Sequence, residues 1–182
     1  MSARARIAGL LAVTLVLLFH AAGTLAQVKS DWELAEEARN WKEVEAKLPA
    51  YPKDQDLVEF FVSSASAFRF YLDSTSMSIG PEGDVRFTLV ARSQSGADNV
   101  SFEGVRCKTG EYRAYAFGGA GGSWSMRPTE WKKIEFKSVQ RWHAALGTEY
   151  LCDGRSPAAS AADILRGVKT GIGLRDRRPS PR

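Results

Sequence analysis

Asp84 to Cys107 reads DVRFTLVARSQSGADNVSFEGVRC, and this stretch decides the fold. Apolar and polar residues alternate in its first half, so Val85, Phe87 and Leu89 share one face of a strand. The segment 94–98 (QSGAD) has the composition of a turn. The second half alternates again, which predicts two neighbouring antiparallel strands.

The apolar register changes within the second of these strands. Val100 and Phe102 occupy even positions, whereas Val105 and Cys107 occupy odd positions. A β-bulge adds one residue to a strand and therefore reverses the faces of the residues that follow. The sequence predicts such a bulge at Gly104, where a missing side chain tolerates the distortion.

Segments on both sides of this pair are rich in aromatic residues and valine, which indicates further strands. They are 57–62, 68–72, 76–79, 111–117 and a short one around 131–136. The predicted fold class is therefore α+β: an antiparallel β-sheet of about six strands, with an N-terminal helix and two short C-terminal helices. A β-sandwich with peripheral helices is the alternative.

The helices are predicted from caps and from apolar spacings of three and four. Ser30 to Glu33 has the form of a capping box, and the apolar spacing that follows extends to Pro49. A second helix is expected around Val139 and Trp142. The third is expected to begin at Ser156-Pro157, because proline suits the first helical position.

The first 26 residues have the organisation of a secretory signal peptide. Arg4 and Arg6 precede a run of about a dozen apolar residues, and small residues allow cleavage near Ala26. This run is shorter than the roughly 20 residues of a membrane-spanning helix. The sequence predicts an exported, periplasmic chain with no lipobox cysteine and no transmembrane segment in its mature form. Residues 27–170 are expected to form a single domain and 171–182 a disordered basic tail.

The chain has two cysteines, Cys107 and Cys152. In an oxidising compartment such a pair predicts a disulfide. A two-thiol metal site and a nucleophilic cysteine are the alternatives, but the chain has no C-x-x-C spacing, and His143 is its one histidine beyond the signal. No metal site and no cofactor are predicted.

The charge of the chain is unevenly placed. The formal net charge is +4, but 17 basic and 20 acidic residues lie between Gln27 and Leu165. The body of the protein is therefore mildly acidic. A nucleic-acid-binding domain needs a basic face, so nucleic acid is not expected as a partner.

Two features suggest a binding site. Tyr115 and Trp124 flank the glycine-rich segment 118–122, and aromatic residues around such a loop can form a ligand platform. Glu103 and Arg106 flank the predicted bulge and can hold a polar ligand. In the alternative interpretation the aromatic residues belong to the core and the charged residues form a structural ion pair.

Two hypotheses for function follow. The first is a non-enzymatic domain that binds an envelope protein or a small ligand through the four candidate residues. The second is an envelope hydrolase that uses His143 with a carboxylate such as Glu103 or Glu149. The chain has no recognisable nucleophile motif. No catalytic residue is therefore predicted.

The quoted stretch also carries a resemblance. Residues 85–90 (VRFTLV), 96–107 (GADNVSFEGVRC) and 115–118 (YAFG) resemble the cryptic neisserial protein-like family, small exported proteins mainly of betaproteobacteria. Trp131 and Cys152 fit the same pattern. The resemblance implies a periplasmic location and a single domain of uncharacterised function. It supplies no site residues.

Overall fold

A computed structural model describes residues 30–136 and 141–176 of the chain. The expected signal peptide, Val139 and the end of the expected basic tail lie outside the described residues. The described chain divides into two compact units between Trp41 and Lys42. No helix within the two described ranges is long and apolar enough to cross a bilayer.

The first unit contains helix α1, Asp31–Asn40. The predicted capping box is confirmed, because the backbone N–H of Ser30 donates to the carboxylate of Glu33 at 2.7 Å. The helix ends at Asn40, so the prediction that it continues to Pro49 is wrong.

Residues 42–52 form an irregular segment, which we call the strap. Arg86 donates to the carbonyl oxygen of Val44 at 2.5 Å, and Arg113 donates to the carboxylate of Glu43 at 2.7 Å. A helix would use that carbonyl for its own i→i+4 bond. The arginines of the sheet therefore stabilise the strap in a non-helical conformation.

The second unit is built on one antiparallel sheet. Its strands are β1 (Leu57–Phe60), β2 (Phe68–Asp73), β3 (Ser78–Ile79), β4 (Asp84–Ser93), β5 (Asp98–Arg106), β6 (Glu111–Gly119), β7 (Ser123–Met126) and β8 (Lys132–Lys133). Their order is β1-β2-β4-β5-β6-β7. Strands β3 and β8 pair with β4 and β6 at the same edges as β2 and β7. The sheet is thus six strands wide, and the predicted α+β class is confirmed.

The helices of this unit lie near its C-terminus. Helix α2 (Arg141–Ala145) continues into a π-helix (Leu146–Leu151), and α3 spans Ala161–Thr170. The predicted start of the last helix at Ser156 is wrong, because Ser156–Pro157 (β10) pairs with Cys152–Asp153 (β9). Ser160 caps α3 instead: its hydroxyl accepts the N–H of Asp163 at 3.1 Å.

Both faces of the sheet are covered. On the helix face, inward side chains of the strands pack against α3 and the π-helix. The strand residues include Phe70, Leu72, Val85, Phe87 and Val105, and the helix residues include Leu146, Leu151, Ile164 and Val168. On the strap face, Tyr71, Val90, Val100 and Phe102 pack with Tyr51, Ala46 and Trp124. The predicted disulfide is confirmed: Cys107 and Cys152 are bonded, with their Cα atoms 5.5 Å apart.

The predicted bulge at Gly104 is wrong in its position. The pairing of β4 with β5 is continuous, whereas the register between β5 and β6 shifts between Phe102 and Glu103. Phe102 pairs with Ala116 and Glu103 pairs with Ala114, so Tyr115 is the extra residue. Since both faces are covered, Phe102 packs on the strap face, and β5 needs no change of register.

Candidate functional site

A cleft of about 350 Å³ opens on the helix face, and we call it the Trp142 cleft. Its walls are mainly apolar and include Phe68, Phe70, Leu89, Ala91, Phe117 and Trp142. Ser101 and Glu103, both buried, form its polar floor. Clefts that are mostly apolar and have a few fixed polar groups are the usual form of small-molecule sites.

Two small side chains create the space for this cleft. Ala91 lies opposite Phe70 in the pairing of β2 with β4, and Ser101 lies opposite Phe117 in the pairing of β5 with β6. These four residues share the helix face because side chains alternate along each strand. The two short side chains therefore lie on the adjacent strands β4 and β5, between the rings of Phe70 on β2 and Phe117 on β6.

Trp142 separates the cleft from a second pocket of about 430 Å³, which we call the Ser63 pocket. Its ring stacks on Phe70, with the centroids 5.6 Å apart and the planes at 21°. The indole N–H of Trp142 is buried and has no acceptor among the described residues.

The floor of the cleft is a hydrogen-bonded chain of three side chains. Ser101 Oγ donates to Glu103 Oε1 at 2.6 Å, and Glu103 Oε2 lies 2.8 Å from His143 Nε2. All three residues are buried, and the ring of Tyr112 stacks on the imidazole with a centroid distance of 3.6 Å. The carboxylate thus has a polar partner at each oxygen, as a buried charge requires.

The order of the three hydrogen-bonded side chains decides what chemistry they can perform. In a serine hydrolase the hydroxyl donates to the imidazole, which then removes its proton. Here the carboxylate of Glu103 stands between the hydroxyl of Ser101 and the ring of His143. The arrangement fixes the position of the Glu103 carboxylate at the floor of the cleft, and the imidazole of His143 is not placed to take the proton of Ser101.

The four candidate binding residues lie on two faces. Glu103 belongs to the floor of the Trp142 cleft, whereas Tyr115 and Trp124 pack against Phe102 on the strap face. Trp124 also donates its indole N–H to the carbonyl oxygen of Pro49 at 3.0 Å. The strap therefore covers the aromatic residues that flank the glycine-rich segment.

Arg106, the fourth candidate, belongs to an ionic cluster on the strap face. Its Nε lies 3.5 Å from Asp84 Oδ1, and its guanidinium lies 4.1 Å from the centroid of the Trp131 ring. Asp84 is fully buried. Burial raises the pKa of Asp84 to about 6, although the nearby Arg106 opposes the shift.

Asp84 makes the stability of the protein depend on pH. Between about pH 4 and pH 6, folded Asp84 keeps a proton that the unfolded chain has released, so the contribution of Asp84 to stability falls as the pH rises. The free energy of unfolding of Asp84→Asn, relative to that of wild type, is expected to rise by up to about 3 kcal/mol between pH 4 and pH 7. Urea denaturation at these pH values measures the difference.

Asp98→Asn is the matched control on the same sheet. The hydrogen bond from Arg92 lowers the pKa of Asp98, so its replacement is expected to lose stability relative to wild type above pH 4. Parallel pH curves for wild type and Asp84→Asn would contradict the role of Asp84.

Several residues of the cleft were not singled out in the sequence. Trp142 was seen only as part of an apolar helix stripe, and Phe70 only as a strand residue. A usable signal exists in the inward register of β4, where Ala91 follows the larger Val85, Phe87 and Leu89. A short side chain at a core-facing position leaves space unless a neighbour fills it.

Comparisons with known proteins place the chain in a family. The model of the CNP1-like family matches residues 36–169. The chain is 30% identical over 147 residues to cryptic neisserial protein 1 of Neisseria gonorrhoeae (strain ATCC 700825 / FA 1090), which covers 71% of this chain and 72% of that protein. No solved structure matches the chain. The protein belongs to the CNP1-like family, whose function is uncharacterised.

Proposed function

We propose that the protein is a non-enzymatic binding domain of the cell envelope that takes a small, largely apolar molecule in the Trp142 cleft. The observation that carries this proposal is an apolar cleft of about 350 Å³ above a buried carboxylate with a polar partner at each oxygen. This volume lies within the range of about 300–1,000 Å³ of small-molecule sites.

The rim of the cleft supports binding. Phe68 and Phe117 leave 39% and 38% of their surfaces exposed, which is costly for aromatic residues on strands of a covered sheet. A ligand in the cleft would remove this apolar surface from water.

The geometry favours binding over the hydrolase hypothesis. His143 is buried and is not among the residues that line the cleft. Glu149, the other carboxylate considered, accepts a hydrogen bond from Thr148 at 3.3 Å. Glu103 does contact His143, but its second oxygen accepts the hydrogen of Ser101, so the imidazole and the hydroxyl do not form the Ser–His pair of a serine hydrolase.

A location outside the cytoplasm is part of the proposal. The disulfide between Cys107 and Cys152 supports it, because such bonds persist in oxidising compartments. The signal-like residues 1–26 of the sequence support it independently. A small ligand is favoured over an envelope protein as the partner because the proposed site is a concave cleft.

Filling the cleft is expected to abolish binding. Ala91→Trp places a large ring between Phe70 and Leu89, where the ligand would lie, and at least a tenfold loss of affinity is expected. Titration with octanol and with 1-anilinonaphthalene-8-sulfonate measures it, and circular dichroism checks the fold.

Ala97→Trp is the matched control, because Ala97 is exposed in the turn between β4 and β5. Trp142→Ala removes a wall of the cleft without filling the cleft, and it is expected to weaken binding as well. Equal affinities of Ala91→Trp and wild type, or no saturable binding by wild type, would refute the proposed site.

A further inference from the structure

We propose that the ligand is an anionic amphiphile, whose apolar chain lies in the Trp142 cleft and whose negative head lies in the Ser63 pocket against Arg141. The inference rests on the proposed function and adds the chemical class and the orientation of the ligand.

The two pockets are neighbours, and we refer to them together as the groove. The Trp142 cleft and the Ser63 pocket share Phe68, Phe70 and Trp142 as lining residues. Trp142 stacks on Phe70 at the junction of the pockets and is therefore able to contact both parts of a ligand. A molecule that extends from one pocket into the other would pass along this stack.

The polar groups of the Ser63 pocket are hydrogen-bond donors. Its polar side chains are Ser63, Ser66 and Arg141, and none of the described residues that line it is acidic. Ser63 Oγ accepts the N–H of Ala65 at 3.2 Å, and Ser66 Oγ accepts the N–H of Phe68 at 3.1 Å. Because both oxygens act as acceptors, each hydroxyl hydrogen can point to another group. The pocket offers a charge and two hydroxyl donors to an anion.

Arg141 has no carboxylate partner in the part of the chain that the structure describes. Its Nη1 donates to Ser63 Oγ at 3.4 Å, a long and neutral contact. Two arginines of the sheet, in contrast, form ion pairs with a carboxylate: Arg69 pairs with Glu59, and Arg92 pairs with Asp98. A guanidinium matches a carboxylate or phosphate in shape and charge.

The opposite end of the groove fixes the orientation of the ligand. Glu103 lies at the floor of the Trp142 cleft, so a negative head placed there would meet a carboxyl group, whereas in the Ser63 pocket it meets a guanidinium. The head is therefore directed to Arg141 and the chain to the apolar walls. Carboxylates and phosphate monoesters share this chemistry.

Four probes with the same chain test the inference: octanoate, octyl phosphate, octanol and octylamine. Wild type is expected to bind octanoate or octyl phosphate roughly tenfold more tightly than octanol, and octylamine no better than octanol. In Arg141→Gln the ratio of the affinity for either anion to the affinity for octanol is expected to fall to about one, while the affinity for octanol itself is unchanged. Arg141→Lys is expected to retain part of the preference, since it keeps the charge.

Arg69→Gln is the matched control, because Arg69 is an exposed arginine that pairs with Glu59. It is expected to leave all four affinities unchanged. A higher affinity for octanoate assigns a carboxylate head and a higher affinity for octyl phosphate assigns a phosphate head; both results support the inference. An unchanged anionic preference in Arg141→Gln, or tightest binding of octylamine, would overturn it while leaving the proposed cleft in place. Failure of octanol and of both anions to bind wild type would overturn both proposals.

Discussion

His143→Ala is expected to lower the free energy of unfolding by about 3 kcal/mol, because it leaves a buried hydrogen-bonding group without one of its partners. The imidazole and the carboxylate of Glu103 are buried, and their polar atoms lie 2.8 Å apart. After the substitution, Glu103 keeps only the hydroxyl of Ser101 as a polar partner. The loss of the ring that Tyr112 stacks on adds a cavity. Urea denaturation measures the change.

A double-mutant cycle separates the pair from the cavity. Glu103→Ala and His143→Ala together are expected to cost clearly less than the sum of the single changes, because the double variant leaves neither buried group without its partner. The exposed pair of Glu59 and Arg69 is the matched control, and its cycle is expected to give a coupling below about 1 kcal/mol. Additive costs at Glu103 and His143 would mean that the pair does not stabilise the fold.

The strands were predictable because they follow a local rule. In β4, Val85, Phe87 and Leu89 face the helices while Arg86 and Thr88 face the strap, and a period of two records this directly. The pairing order follows from short connections between successive strands. Five strands of the observed order, β1, β2, β4, β5 and β6, could therefore be predicted without any knowledge of distant contacts, whereas β7 was missed and the strand expected at 131–136 is reduced to β8.

The strap could not be predicted, because distant residues decide its conformation. Val44 and Leu48 have helical spacing, yet both side chains are substantially exposed, and the backbone is held by Arg86 instead. A capping box identifies where α1 begins but does not determine where it ends. The bulge was misplaced for a related reason: the prediction assumed one buried face, whereas Phe102 is buried by the second layer.

The candidate site depends even more on contacts between distant segments. Glu103 was singled out beside a bulge that β5 does not contain, and its partner His143 lies 40 residues away. Glu103 and Arg106 are close in sequence but occupy opposite faces of the strand, because their separation is odd. The cleft arises where short side chains on β4 and β5 meet Trp142, and no local pattern relates these elements.

Loss of the disulfide is expected to lower the free energy of unfolding by an amount similar to that expected for His143→Ala. The bond closes a separation of 45 residues, and the chain-entropy relation then gives a stabilisation of about 4 kcal/mol. Cys107→Ala with Cys152→Ala is expected to lower the midpoint of thermal unfolding by roughly 10 °C. Reduction of wild type is expected to have nearly the same effect, whereas the double variant is insensitive to reductant. A wild-type midpoint that reductant leaves unchanged would contradict this prediction.

The position of the disulfide connects stability to the proposed function. Cys107 follows β5, which supplies Ser101 and Glu103, and Cys152 follows the π-helix that continues from α2, which supplies Trp142 and His143. The bond therefore holds the floor of the cleft against its wall, and reduction is expected to weaken octanol binding before the protein unfolds. Alkylation of intact cells tests the compartment: in an exported chain both thiols resist the reagent, whereas modification of both would place the protein in the cytoplasm.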